Sequence, residues 1–179
     1  MYNESAITPV VLGAIETLEQ GYQFLTDITD AQYCHDAKPH LSSTIGQHFR
    51  HWLDLFHALL CSKHPSQESY QIDYNQRRRG HEVEELRQTA MEEITYFIER
   101  LMKMNANDLR SQVVILTEVS LSRSEVCTMS STFERELTFA ALHANHHFAM
   151  AKVVMTLLDV KTNDEFGLAP ATATFIRGQ

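Results

Sequence analysis

Residues 133–160, FERELTFAALHANHHFAMAKVVMTLLDV, run for about seven helical turns without a glycine or a proline. Ser131 and Glu134 stand just ahead of the run with the spacing of a capping box, so the run predicts one long helix. A helix of this length cannot cover its own apolar stripe and needs other helices to lie against. Three further segments have the right period. Val10, Val11, Ala14, Ile15, Leu18, Tyr22, Leu25 and Ile28 recur at three- and four-residue steps over residues 8–29, with Thr8 and Pro9 suited to a cap and first position. Ile45, Phe49, Trp52, Leu53, Phe56, Leu59 and Leu60 form one face over 43–62, behind a Thr44/Gln47 capping box. Val83, Leu86, Ala90, Ile94, Phe97, Ile98 and Leu101 do the same from Gly80 to Met104, after the acidic first turn HEVEE. Four amphipathic helices bury their stripes against one another, so the expected fold is all-α, a four-helix bundle.

The intervening stretches read differently. DAQYCHDAKPHLSS has no period and reads as a loop, and SKHPSQESYQIDYNQRRRG reads as a long polar loop. Between 111 and 130, VVILTEV and SEVCTMS flank LSRS, which predicts a short β-like excursion between the third and fourth helices. The tail, KTNDEFGLAPATATFIRGQ, reads as irregular chain packed over the bundle.

A chain of 179 residues with 44% apolar content is sized for one domain, residues 1–179, and buries enough surface without disulfides. The formal charge of -8 disfavours nucleic acid and anionic lipid as partners, despite the basic triplet Arg77 to Arg79. Cys34, Cys61 and Cys127 are odd in number and widely spaced, which suits core filling in a reducing compartment rather than a disulfide or thiolate site. No signal peptide or membrane-spanning run is visible, so a cytoplasmic location is expected.

Ten histidines is a high count, and three of them, His143, His146 and His147, crowd into the longest helix. Residues four apart lie one above the other on a helix, close enough for two imidazoles to grip one ion. His147 points within the stripe of Ala140, Ala144, Ala151, Val154 and Leu158, with His143 at its flank and His146 turned away. The small alanines leave room near the rings. The second helix offers a third ligand in IGQHFRHWLDLFH, where periodicity favours His48 and a seam between helices serves His51 equally. Neutral imidazoles without thiolate suit a divalent ion such as Zn, Ni, Fe or Cu, and three protein ligands leave coordination positions open. Hydrolysis by metal-bound hydroxide and thiol transfer are both open to such a centre, although no general base accompanies the ligands. Asp54, one turn after His51, is a candidate outer-shell carboxylate but more simply a solvated acid, and Glu136 suits an arginine partner. Tyr74 and Arg77 could reach an anionic substrate from a loop that otherwise reads as solvated.

TIGQHFRHWLDLFHALL, IDYNQRRRGHEVE, SSTFERELTFAALHANHHFAMAKVV and FGLAPATATF together resemble the DinB-like (DinB/YfiT) superfamily of metal-dependent proteins over essentially the whole chain. The resemblance implies a four-helix bundle, commonly a homodimer, with a divalent metal on one histidine of the second helix and two of the fourth. It implies His51, seven residues after Thr44, over His48, together with His143 and His147. It further implies a thiol S-transferase, with a low-molecular-weight thiol and an electrophilic small molecule as partners. The alternatives are a metal-dependent hydrolase and a dimeric module that binds metal without turnover.

Overall fold

The computed structural model describes residues 7–61 and 70–179. In order these form α1 (Pro9–Asp27), α2 (Asp30–Tyr33), α3 (Ile45–Cys61), β1 (Tyr70–Asp73), a 3₁₀ turn (Glu82–Glu84), α4 (Arg87–Met102), α5 (Ala106–Leu109), β2 (Gln112–Glu118), β3 (Val126–Thr132), α6 (Phe133–Leu157) and α7 (Pro170–Arg177). The start of the polar loop, 62–69, and the first six residues lie outside the described range.

The long helix forms where its sequence demands. Its cap is Thr132, whose hydroxyl accepts from the Arg135 amide at 3.4 Å, and Glu134 and Glu136 put negative charge in the first turn. The Ser131/Glu134 box is thereby corrected: Ser131 sits one residue too early and donates to the Glu136 carboxylate at 2.7 Å instead. The Thr44/Gln47 box does form, with both reciprocal bonds at 3.1 Å. α1 and α3 pack along α6, and α4 closes the layer against α1 and α3. Trp52 stands edge-on to Phe49, Phe56 and Phe148 in the middle of this core.

The expectation of an all-α four-helix bundle does not hold. A three-stranded mixed sheet runs in the order β1-β2-β3. The hairpin of β2 and β3 pairs Gln112 with Thr132 through Glu118 with Val126, and β1 adds to its edge in parallel, Tyr70 opposite Val113. β1 lies within the segment read as loop, because only Ile72 of its four residues is fully buried and its pairing partner is distant in sequence. Helices also appear where none was expected: α2 in DAQYC, closed by a Thr29/Gln32 capping box, and α7 in the tail. The third expected helix starts late, at Arg87, because residues 82–84 make a 3₁₀ turn. That turn lies so close to α3 that a Cβ on Gly46 would overlap the Glu84 carbonyl. Gly167, at φ +79°, also brings the tail close, with a would-be Cβ 2.9 Å from the Ala149 amide nitrogen. No helix among the described residues is long and apolar enough to cross a membrane.

Candidate metal centre

His51 projects from α3 and His143 and His147 from α6, and the three ring nitrogens converge. His143 Nε2 lies 3.4 Å from His51 Nε2 and 3.0 Å from His147 Nε2. Protons alone satisfy this arrangement poorly. His143 Nε2 has either one N–H or one lone pair, yet it faces two other ring nitrogens. A tetrahedral ion with Zn–N bonds of about 2.0–2.1 Å would separate its ligand nitrogens by about 3.3 Å, close to the spacing found. The residues present therefore fit a borderline divalent cation.

His48 joins the group from behind. Its Nδ1 lies 3.0 Å from His147 Nδ1, so a His147 that uses Nε2 as a ligand can donate its Nδ1–H to His48. The wheel's preference for His48 thus reflects real proximity, while its place is at the back of His147 and outside the trio. His146 is exposed, as its outward position on the helix requires.

All four inward rings are held neutral. Burial pushes His51 down to about 4, helped by the Arg77 guanidinium and then by His143. Burial, then the neighbouring His51, His143 and His48, push His147 down to about 2. His143 and His48 are lowered by burial first and by His146 second. In the metal-free protein these groups have folded pKa values below the usual 6.5, so the unfolded chain binds more protons from about 6.5 down to about 2, the value of His147. Stability accordingly falls as pH drops through that window. The melting temperature of chelator-treated protein should be lower at pH 5 than at pH 7, and His147→Ala should flatten the difference. An unchanged slope in that variant would show that His147 is not held neutral.

The other polar candidates are spread over the surroundings. Asp54 is buried and not solvated, contrary to its simpler reading. It accepts from Arg50 Nη1 at 2.9 Å and Arg78 Nε at 2.7 Å, and these arginines continue to Glu84 at 2.8 Å and Glu93 at 2.7 Å. The i,i+4 spacing of Arg50 and Asp54 was the available signal for this network. Glu136 is buried too, accepting from the Tyr74 hydroxyl at 2.9 Å, Ser131 and Arg135. Burial and the Glu136 carboxylate push the Tyr74 phenol well above its usual value. Arg77 meets His51 from its other ring nitrogen, with Nη1 2.5 Å from His51 Nδ1. The cysteines fill no core: Cys34 and Cys61 are exposed, Cys127 is half-buried, and all three are free.

No family model and no solved structure matches the chain. The chain is similar to a curated protein, FK506-binding protein 5 of Rhizopus delemar, with 30% identity over 108 residues. That stretch is 60% of this chain but 28% of the relative, so the match spans well under half of that protein. These findings do not support the DinB-like resemblance, and they overturn the functions attached to it, the thiol S-transferase, the hydrolase and the dimeric bundle module.

Proposed function

We propose that this chain is a divalent-cation-binding protein in which His51, His143 and His147 hold one ion, zinc, nickel or iron. The convergence of the three Nε2 atoms at 3.0 and 3.4 Å, an arrangement that protons alone satisfy poorly, carries the reading. An ion there would supply a Lewis-acid centre with at least one position open to a small ligand. The chain's own contribution is placement. His48 accepts the outer N–H of His147 and fixes its tautomer, while burial keeps the rings unprotonated at neutral pH. The three free cysteines are consistent with a reducing compartment, and we place the protein in the cytoplasm on that basis.

Protein purified without chelator should contain about one divalent ion per chain by elemental analysis. Metal added to about 100 times its dissociation constant stabilises the fold by about 2.7 kcal/mol, a rise in melting temperature of roughly 5–10 °C. Protein that neither carries nor takes up an ion at neutral pH would end this reading. The name of the curated relative supplies a second one, FK506 itself as ligand, carried by the 30% identity. Calorimetric titration of FK506 into the same protein decides it, saturable one-to-one binding being the supporting result.

A further inference from the structure

Arg77 is exposed and, among the described residues, has no carboxylate partner. Its one polar side-chain contact among the described residues is with His51 Nδ1. That contact requires Nδ1 to accept. A neutral His51 that ligates through Nε2 carries its proton on Nδ1, and two donors then face each other. Arg77 must turn away when the centre is loaded, and among the described residues the Asp54 and Glu136 carboxylates are already engaged. Both Asp54 oxygens are taken by Arg50 and Arg78, and Glu136 is taken by Tyr74, Ser131 and Arg135. The ligand trio also contains no carboxylate, so the ion's charge is not neutralised by the protein. Beside the trio lies an open cavity lined by Arg135, Thr138, Phe139, Leu142, His143 and His146. Phe139 and Leu142 are both exposed there, and the Phe139 ring is 5.7 Å from that of His143.

We propose that the loaded centre binds an oxyanion attached to a small apolar body, with the acid group shared between the ion and Arg77 and the body lying on Phe139 and Leu142. This rests on the three-histidine metal reading. The guanidinium fork suits a carboxylate or a phosphate, and the protein offers both groups the same chemistry.

Cobalt(II)-loaded protein is titrated with hexanoate, hexyl phosphate, acetate and the neutral hexanamide, and binding is followed by the visible cobalt spectrum. One of the six-carbon acids should bind about tenfold or more tightly than hexanamide, in keeping with a charged hydrogen bond. Acetate should bind more weakly than hexanoate, and the stronger of the two six-carbon acids identifies carboxylate or phosphate. In Arg77→Gln the ratio of acid to amide affinity should fall towards one, while Arg77→Lys should keep part of it. Equal binding of acid and amide by the wild-type protein overturns the proposal, as does an undiminished ratio in Arg77→Gln. Failure of cobalt to bind at all removes the metal reading, and this proposal with it. Cobalt binding without acid preference removes this proposal alone.

Discussion

Replacing His147 by alanine should weaken metal binding by at least about 100-fold, the upper end of what loss of a mere outer hydrogen-bond partner costs. His147 is the most enclosed of the three ligands and sits between the others, its ring centre 4.7 Å from those of both His51 and His143. Its neighbours on the helix, Ala140, Ala144 and Ala151, are already alanines, and alanine favours helix, so the fold should tolerate the change. Competition with a chromophoric chelator measures the affinity. His146→Ala is the matched control, one position away on the exposed face, and should leave affinity unchanged. Loss in both variants, or in neither, would mean that the trio is not the site.

Asp54→Ala should lower the melting temperature of the metal-free protein by about 6–20 °C. The carboxylate is almost wholly buried, and its removal takes away the charge that bridges Arg50 and the partly buried Arg78, leaving each with a single carboxylate, Glu84 and Glu93 respectively. Breaking a buried pair by removing one partner costs about 3–5 kcal/mol, and a chain of this length loses about 2–4 °C per kcal/mol. Asp36→Ala supplies the comparison, since the Lys38–Asp36 pair is more than half exposed on both sides and such pairs contribute little. Similar melting shifts in the two variants would show that the Arg50–Asp54–Arg78 network is no more than a surface feature.

Local periodicity made the helical part of this molecule legible. Residues 133–160 and 43–62 announced themselves by spacing and caps, and the wheel separated an inward His143 and His147 from an outward His146. Contacts between distant segments were not legible. β1 has four residues and one fully buried side chain, and it is a strand because β2 lies beside it. The same holds for Asp54, whose burial depends on Arg78 arriving from a loop. The cysteines were misjudged because residue type alone suggested burial. On the site, periodicity chose His48, and the structure puts His48 and His51 in the same cluster with different neighbours. The seam between two helices, which no single-helix wheel represents, decides which of them faces the other ligands.

The sheet gives the centre a property that helix packing alone would not. β3 runs directly into α6, and β1, which packs against α3, is tied to β3 through β2. The two helices bearing His51 and His143 are therefore braced along two separate routes, side by side and around through the strands. A frame braced twice resists spreading, so the gap between the nitrogens is set before an ion arrives. Nitrogens held 3.0–3.4 Å apart accept bonds of about 2 Å and discriminate against calcium, which prefers oxygen donors and bonds of about 2.3–2.6 Å. On the metal reading proposed above, ion size would be selected by the stiffness of the scaffold as well as by the chemistry of imidazole.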